Sequence, residues 1–415
     1  MRLCHITTLY GCYLQSFYEN RPGLRNAPYE VQHTALLEDS FGRIGALSAA
    51  LPRYGYEVKE IVANARPEQY AWAGENGFRT PNREWVCSIT LKQLEQWRPD
   101  VVFFDDPVTF SGEFIKDLRS RCRCIRMVLG FNGSPYYLLD SIRQYDVLLS
   151  PTKSWVASFE KQGFRCQQFA QAFNTSVLSD LPERTPVDEE VLFVGGLLRA
   201  KGYHLIRERV LEAIAKALPI RIHSPSAALS PVRDWLHTNI RRMVYDGLGL
   251  LRSCGVSSER LKTLPVVGRA GAWESRPMRQ INPLLRPLLR PPLFGRALYR
   301  AQRKSAVTLN IHADIAGQMG GNNMRIFEAT GVGTCLLTDA NDNLRSVFEV
   351  DREVVAFGSP EECLEKARWL LDHPREREAI ALAGQARTLR DHTYIKRAAE
   401  LDLIIREFVG SESDS

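Results

Sequence analysis

The residues best suited to bind a ligand lie between positions 306 and 340, where a glycine-rich turn separates an apolar stretch from a predicted helix. Gly321 ends the turn, and Asn322 and Asn323 follow it as good helix N-caps. Glycine lets the backbone turn with positive φ and approach a ligand closely. The first amides of a helix have no internal partner and lie at the positive end of its dipole. The pattern therefore predicts a phosphate-binding turn.

Two charged side chains follow on the same predicted helix, NMRIFEATG. Arg325 can donate charged hydrogen bonds to a phosphate, and Glu328, three residues later, can accept hydrogen bonds from the two hydroxyls of a ribose. Glycine-rich turns also join strands to helices in many proteins, and a lone glutamate on a helix is usually only solvated. These residues alone leave both interpretations open.

The elements that position these residues alternate along the whole chain. Five short apolar stretches in the first half are typical of buried strands: RLCHITTLY, EVKEIVAN, VVFFDD, CIRMVLGF and DVLLSP. ALLEDSFGRIGALSAALPRYG and SITLKQLEQW have helical spacing instead, and GQARTLRDHTYIKRAAELDLIIREFV is expected to close the chain as helix. The alternation predicts an α/β protein with doubly wound parallel sheets.

Length and composition indicate a globular protein of two domains. The chain has 415 residues, 44% hydrophobic and 25% charged, and none of its apolar stretches approaches the ~20 residues of a membrane span. Its start, MRLCHITTLYGCYL, reads as a first strand, so no signal peptide is expected. The nine cysteines lack zinc-like pairs and are expected to be free thiols in a reducing cytoplasm. A net charge of +6 without aromatic-basic interleaving weighs against nucleic-acid binding.

The C-terminal half of the chain resembles known enzymes. From PPLFGRALYRAQRKSAVTLNIHADIAG through NNMRIFEATGVGTCLLTDANDNLRSVFEVDREVVAFGSPEECLEKARWLLDHPREREAIALAGQARTLRDHTY, it is similar to GT-B glycosyltransferases of the CgeB-like group and the glycosyl transferases group 1 family. The resemblance covers about residues 290 to 400 closely and the rest more loosely. It implies two facing Rossmann-like domains, a nucleotide-sugar held mainly by the second, an acceptor held mainly by the first, and no bound metal.

A second matching motif, VLFVGGLLRAKGYHLI, spans residues 191 to 206. Carried over from the family, Gly195 and Gly196 form the turn after the first strand of the donor domain, and Lys201 is the cation that meets the leaving diphosphate. Many relatives have an arginine where this chain has Gly196, so Arg199 is the candidate second cation. His312, which ends the strand before the glycine-rich turn, is expected to hydrogen-bond near the diphosphate.

One family feature is missing. Retaining members of related families carry two glutamates eight residues apart around this helix, but the position eight before Glu328 is Gly320. Neither sugar recognition by a first glutamate nor the retaining stereochemistry therefore transfers to this chain.

The acceptor side is expected at the carboxyl ends of the first domain's strands, where open parallel sheets bind ligands. This rule selects Thr7 to Gly11, Asp105 and Asp106, and Asn132 to Ser134. An inverting transferase needs a general base, for which Asp105, Asp106 and His33 are the candidates, whereas His5 lies inside a strand and is expected in the core. An Asp-Asp-Pro sequence is also a common turn or helix-start signal, so the structural interpretation stays open.

Residues 228 to 300 exceed the minimal fold and include INPLLRPLLRPPLFGRALYRAQRK. A basic, apolar segment of this kind favours contact with an anionic membrane that carries a lipid-linked acceptor. Alternatively, the arginines are solvated or bind the donor diphosphate, and the prolines prevent one continuous amphipathic helix.

The sequence therefore predicts a GT-B glycosyltransferase of polysaccharide biosynthesis, cytoplasmic or peripheral at the inner face of the membrane. We expect it to be metal-independent, without a cofactor, and to use a UDP- or GDP-linked sugar as co-substrate. The acceptor domain is expected at residues 1–182, the donor domain at 190–390 after the linker PERTPVDEE, and a helix that packs back on the first domain, with a short tail, at 391–415. A nucleotide-sugar epimerase and a non-catalytic GT-B partner protein remain the alternatives.

Overall fold

The computed structural model describes residues 1–80, 83–133, 142–181, 188–197, 199, 205–254, 256–257, 275–312, 323–341 and 343–413. Lys201, Gly320, Gly321, Asn322, Ser134 and most of the expected linker lie outside the described residues.

The first sheet has six parallel strands in the order β2-β1-β3-β4-β5-β6. Its strands are β1 (Arg2–Thr7), β2 (Glu57–Val62), β3 (Val101–Phe104), β4 (Met127–Phe131), β5 (Val147–Ser150) and β6 (Cys166–Gln168). Because β2 lies on one side of β1 and β3 on the other, the chain changes direction between β1 and β3. Their carboxyl ends flank a crevice of the kind in which such sheets bind ligands.

Helices cover both faces of this sheet. They are α1 (Gly11–Glu19), α2 (Tyr29–Glu38), α3 (Ala46–Ala50), α4 (Arg66–Glu75), α5 (Trp85–Trp97), α6 (Gly112–Arg121) and α7 (Lys153–Glu160), with 3₁₀ turns at Leu24–Asn26, Leu51–Tyr54 and Thr175–Asp180. Alternate residues of β1 point to opposite faces, so Leu3 joins one core cluster while Cys4 and Ile6 join the other.

The single helix expected over residues 35–55 is wrong, because the chain turns between α2 and α3. Ser40, Gly42 and Gly45 have positive φ values of 56°, 73° and 73°, which no helix accommodates. Glu60 accepts a hydrogen bond from the Gly45 amide at 2.8 Å, so the turn is tied to β2.

The second sheet also has six parallel strands, in the order β12-β11-β10-β7-β8-β9. They are β7 (Asp188–Val194), β8 (Ile220–His223), β9 (Leu289–Arg290), β10 (Ser305–Asn310), β11 (Cys335–Asp339) and β12 (Val355–Phe357). Numbered from β7, this is the 3-2-1-4-5-6 order of dinucleotide-binding sheets, which reverses between β7 and β10. The predicted α/β fold with two parallel sheets is confirmed.

The helices of the second half are α8 (Leu205–Ala215), α9 (Pro231–Ser253), α10 (Gly295–Lys304), α11 (Met324–Gly331), α12 (Leu344–Val347), α13 (Pro360–Asp372), α14 (Pro374–Asp391) and α15 (Tyr394–Ser413), with 3₁₀ turns at Pro225–Ala228 and Arg286–Leu288. The described part of the long segment 228–300 contains the 23-residue helix α9, the 3₁₀ turn Arg286–Leu288, the edge strand β9 and the start of α10. No helix within the described ranges is long and apolar enough to cross a membrane.

The expected closing helix is broken at His392 and Thr393, where the chain pairs with Phe173. The Phe173 amide donates to the His392 oxygen at 2.8 Å, and the Tyr394 amide donates to the Phe173 oxygen at 3.1 Å. After this crossing, α15 buries Ala398, Leu401, Ile405 and Phe408 in the same cluster as Leu3 and Met127 of the first sheet. The last helix of the chain therefore packs on the first sheet.

Gly331, at the end of α11, allows this junction to close. A Cβ atom there would lie 2.4 Å from ring carbons of Phe173, which is fully buried. We expect Gly331→Ala to destabilise the protein by about 1–3 kcal/mol, because the ring has no room to move. Gly247→Ala is the matched helical control, since its Cβ would meet nothing within 4 Å. The control should be neutral or stabilise by up to about 1 kcal/mol. Urea denaturation of both variants tests this, and equal stabilities would contradict it.

Candidate functional site

The reversal point of the second sheet brings together the ends of β7 and β10 and the start of α11. Gly195 and Gly196 follow β7, and His312 ends the described chain after β10. Asn323 is the N-cap residue of α11 and has extended backbone angles, φ −78° and ψ 163°. The two motifs predicted from separate parts of the sequence therefore meet at one crevice.

Asn323 occupies the cap position, but its side chain does not cap the helix. Its Nδ2 donates instead to Oδ1 of Asn310 at 2.9 Å, and Nδ2 of Asn310 donates to Oγ1 of Thr338 at 3.0 Å. This chain of hydrogen bonds fixes the start of α11 relative to β10 and β11. Because the Asn323 side chain leaves the first amides of α11 uncapped, these amides can bind an anion.

His312 is held by Asp339 at the end of β11. Oδ1 of Asp339 accepts hydrogen bonds from the His312 main-chain amide at 3.0 Å and from its Nδ1 at 2.8 Å. Burial alone would raise the pKa of Asp339, but the hydrogen bonds from His312 hold it below its usual value. The Nε2 atom of His312 is buried and has no hydrogen-bond partner among the described residues. This atom is a natural contact for a polar ligand.

The helix α11 carries its predicted charged pair next to this crevice. Nη1 of Arg325 lies 3.0 Å from Oε2 of Glu328, which is only 5% exposed. Glu328 is thus a buried carboxylate and not a solvated one. Burial raises its pKa, and the Arg325 guanidinium partly opposes that shift.

Arg199 lies in a different environment from the one that the sequence suggested. Its Nε is 2.5 Å from Oε2 of Glu208, and a second guanidinium nitrogen pairs with the other carboxylate oxygen. Asn282 donates to the same carboxylate at 3.0 Å. The charge of Arg199 is therefore already neutralised by Glu208.

Asp105, at the end of β3, is part of a buried ion cluster in the first sheet. Its Oδ2 lies 2.9 Å from Nε2 of His5, and its Oδ1 lies 3.0 Å from Nη1 of Arg43. On the opposite side of the His5 ring, Nδ1 is 3.8 Å from Oε1 of Glu60. Burial raises the pKa of Asp105, but Arg43 and His5 outweigh burial and leave it below its usual value.

Asp106 is fully used by a turn. Its Oδ1 accepts the main-chain amides of Val108 and Thr109, each at 3.0 Å, and its Oδ2 accepts the hydroxyls of Thr8 and Thr109 at 2.7 and 2.6 Å. This is the turn that the Asp-Asp-Pro sequence also suggested. It links the ends of β1 and β3 across the first crevice.

His33 forms a close pair with a carboxylate. Its Nδ1 lies 2.6 Å from Oε1 of Glu68, a fully buried residue of α4, and its ring stacks on Tyr29 with 5.3 Å between centroids. Burial opposes the charge of His33, but Glu68 raises the pKa of His33 above its usual value. Burial likewise raises the pKa of Glu68, in spite of His33.

Comparisons with known proteins agree with this architecture. Residues 253–402 match a family model described as glycosyl transferase-like. Among solved structures, the chain is similar to sucrose-phosphate synthase from Thermosynechococcus elongatus, with 10% identity over 99% of this chain and 100% of that chain and a TM-score of 0.53. It is also similar to HepE of Anabaena in complex with UDP-glucose, with 11% identity over 98% and 100% of the two chains and a TM-score of 0.51. No curated protein matches the sequence.

The chain has the GT-B glycosyltransferase fold. A glycosyltransferase from Rickettsia africae shares it, with 9% identity over 98% of each chain and a TM-score of 0.51. At these identities the structural likeness concerns the fold alone. The resemblance expected from the sequence is confirmed.

In this GT-B fold, Tyr394 lies between the two crevices. Its hydroxyl group donates to Oε1 of Gln171 at 3.4 Å and approaches Sδ of Met324, the first residue of α11, at 4.0 Å. Arg43 donates to the same Gln171 oxygen at 3.1 Å. Burial raises the pKa of Tyr394 to about 12, with further effects from Arg43, Asp105 and Glu328. The ion cluster of the first sheet and helix α11 of the second half are therefore connected through a few side chains.

Several of these residues were not expected from the sequence. Glu60, Glu68, Arg43 and Asp339 had no role assigned, and His5 was expected only as a core residue. Their partners are distant in the chain, so spacing gives no signal. Only the buried carboxylate at the end of the strand CLLTDA repeats the pattern of VVFFDD and could have been selected by the same strand-end rule.

The structure also bears on metal binding. Within the described residues, no group of three or more His, Cys, Asp or Glu side chains is arranged to hold a metal ion. All nine cysteines fall within the described ranges, and each is a free thiol.

The buried His5 cluster predicts a dependence of stability on pH. Burial opposes the charged form of His5. Asp105 and Glu60 nevertheless raise the pKa of His5 to about 9, from 6.5 in the unfolded chain. Protonated His5 therefore contributes free energy of folding on the order of 3 kcal/mol. This contribution is complete below pH 6.5 and is lost as the pH rises towards 9. We expect the melting temperature of the wild type to fall over this window.

His5→Gln should melt lower at pH 6 and show a flatter profile between pH 6.5 and 9. His373→Gln is the control, because this histidine bonds to the Trp369 oxygen at an exposed helix end. Differential scanning fluorimetry across this pH range compares the three proteins. Parallel profiles for the wild type and His5→Gln would contradict the prediction.

Proposed function

We propose that the chain is a glycosyltransferase that moves a sugar from a nucleoside diphosphate-sugar to a hydroxyl group of a glycan, a lipid-linked saccharide or a similar acceptor. The observation that carries this proposal is the crevice between β7 and β10. There the start of α11, which the Asn323 side chain does not cap, the His312 Nε2 atom, which has no partner among the described residues, and the buried Glu328 lie at the reversal point of a dinucleotide-type sheet.

In this proposal, each chemical group of the donor has a partner at the crevice. The diphosphate would lie at the amides of α11, where the helix dipole stabilises negative charge. His312 would hydrogen-bond the diphosphate, Glu328 would accept the ribose hydroxyls, and Lys201 would meet the charge that grows on the leaving phosphate. Arg199 is a weaker candidate than Lys201 for stabilising the leaving phosphate, because Glu208 already neutralises the charge of Arg199.

Similar structures support a uridine diphosphate donor. HepE of Anabaena was solved with UDP-glucose and with UDP and glucose, and an α-glucosyltransferase was solved with UDP. We extend this donor class to the present chain as part of the proposal, with a GDP-sugar as the other possibility. An epimerase is not favoured by these relationships.

His33 is the best-placed proton acceptor of the three predicted candidates. Asp105 is a weak base because Arg43 and His5 hold its pKa below the usual value, and both oxygens of Asp106 are occupied by a turn. His33 has a buried carboxylate partner at one ring nitrogen, which orients the ring and strengthens the other nitrogen as a base. We therefore propose His33 as the general base and Glu68 as its positioning residue.

We also propose that the reaction needs no metal.

We further propose that α9 and the segment after it contact an anionic membrane. Residues 275–304 contain eight Arg or Lys and no Asp or Glu. On α9, Trp235, Leu236, Ile240 and Met243 expose about half or more of their side chains. Apolar side chains beside a basic segment suit an anionic lipid surface that presents a lipid-linked acceptor.

The donor proposal is tested by thermal shift and calorimetry with UDP- and GDP-sugars. A cognate donor at 100 times its Kd stabilises the native protein by about 2.7 kcal/mol, so the melting temperature must rise. Glu328→Ala should weaken donor binding roughly tenfold or more, because it removes hydrogen bonds to a charged group. Glu365→Ala, at an exposed position of α13, should bind as the wild type does.

If no nucleotide-sugar raises the melting temperature of the wild type, the alternative of a non-catalytic partner protein is favoured. Formation of an isomerised nucleotide-sugar without any acceptor would favour the epimerase. Unchanged donor affinity in Glu328→Ala would remove the ribose role from that residue.

The base proposal predicts a pH profile. A base works when unprotonated, and the pKa of His33 lies above 6.5, so kcat/KM should rise with pH through a value above 6.5. His33→Gln should lower kcat by about 10²–10⁴ and leave donor affinity unchanged. Glu68→Gln should shift the inflection to lower pH, because the carboxylate that favours the imidazolium is gone. An inflection that stays in place in Glu68→Gln would argue against this pair.

A further inference from the structure

Arg207 lies behind the donor crevice, in the first turn of α8. It is only 9% exposed, and its guanidinium group lies over the Phe193 ring of β7 at 5.6 Å from the centroid. A buried arginine needs several hydrogen bonds and a compensating charge to offset the loss of water. The partners it has in this fold are therefore informative.

Two main-chain oxygens accept hydrogen bonds from Arg207, one on each side of the crevice. Nη1 donates to the Gly196 oxygen at 2.7 Å, and Nη2 donates to the Ile311 oxygen at 2.6 Å. Gly196 belongs to the turn after β7, and Ile311 precedes His312 after β10. One planar side chain thus sets the separation of the two strand ends where the sheet reverses.

No carboxylate among the described residues forms a contact ion pair with Arg207. Arg199 and Arg325, which also lie near this crevice, have carboxylate partners, Glu208 and Glu328 respectively. Within the described part of the chain, Arg207 has hydrogen bonds to carbonyl groups only, and its Nε has none. Asp339 favours its charge from a longer distance, while burial lowers its pKa to about 10, so it stays positive at neutral pH.

We propose that Arg207 is a positioning residue for the diphosphate of the donor. It fixes the separation of the Gly196 and Ile311 carbonyl groups, and it places behind them a positive charge that contacts no carboxylate of the described residues. A bound diphosphate then supplies negative charge close to this guanidinium group. This inference rests on the proposed function, and it assigns the second donor-site cation to Arg207 and not to Arg199.

The test separates charge recognition from folding. Arg207→Gln removes the charge and the planar fork, and Arg207→Lys keeps the charge but not the fork. Arg377→Gln is the matched control, because Arg377 is 6% exposed and also donates to main-chain oxygens, those of Leu370 at 3.0 Å and Leu371 at 3.5 Å. Calorimetry with UDP and with uridine measures each variant, or GDP and guanosine if the wild type prefers guanine.

We expect Arg207→Gln to bind UDP about tenfold or more weakly, as for a lost interaction with a charged group, and to bind uridine within about twofold of the wild type. Arg207→Lys should recover part of the preference for UDP over uridine. Arg377→Gln should lower the melting temperature but keep the wild-type ratio of the two affinities, because its carbonyl partners are far from the crevice.

Equal losses for UDP and uridine in Arg207→Gln, or no loss for either, would show that Arg207 acts only in folding and would overturn the inference while the proposed function stands. If Arg207→Gln does not fold, the UDP-to-uridine ratio of Arg207→Lys decides in the same way, since a wild-type ratio without the fork contradicts the positioning role. A wild type that binds neither UDP nor GDP contradicts the proposed function itself, and the inference with it.

Discussion

The bidentate contact of Arg207 with Gly196 and Ile311 is the interaction on which the proposed donor site depends. Parallel strands end with main-chain carbonyl groups that point out of the sheet, and buried carbonyl groups need donors. Because the sheet reverses between β7 and β10, the chain continues from these two strands towards opposite edges of the sheet, and Arg207 bridges their ends. A guanidinium group does so with fixed geometry, whereas lysine has no planar fork. Arg207 thereby fixes the distance between the two strand ends, while the hydrogen bond of Asn323 to Asn310 fixes the start of α11 beside them.

The reversal point of the first sheet differs from that of the second in its charge balance. Between β1 and β3, the charges of His5, Arg43, Glu60 and Asp105 balance one another inside the fold. A balanced cluster is rigid and leaves little charge for a ligand, which is the reverse of the situation around Arg207. His33 and Glu68 lie outside that cluster and form the histidine–carboxylate pair that we propose as the catalytic base on this side. Gln171 and Tyr394 connect the rigid cluster to the start of α11, so the two crevices are held in a defined relation.

The sequence predicts the parts of this structure that depend on local patterns. Alternating apolar stretches identify the strands, and the glycine motifs at Gly195 and Gly321 identify the donor half. The turn that separates α2 from α3 is missed, because helical spacing continues through Ser40 and Gly42 although their positive φ values end the helix. The paired residues are missed for a different reason. Ion pairs such as His5 with Asp105 join positions about one hundred residues apart, and only the register of β1 against β3 brings them together. Asn310 likewise reads as one more strand residue until Asn323 is placed beside it.

Buried polar atoms with hydrogen-bond partners stabilise the fold, whereas buried polar atoms without partners are candidates for binding a ligand. A buried polar atom without a partner costs about 1–3 kcal/mol, so a fold retains such atoms where something else compensates. On the donor side, Nε2 of His312 and Oδ1 of Asn323 are both buried and unpartnered within the described residues, and both belong to side chains whose other polar atom is fixed by a hydrogen bond. Each side chain is therefore oriented by the protein at one end and left unsatisfied at the other. These atoms, and the Arg207 charge that contacts no carboxylate of the described residues, favour the binding of a polar, negatively charged ligand in this crevice.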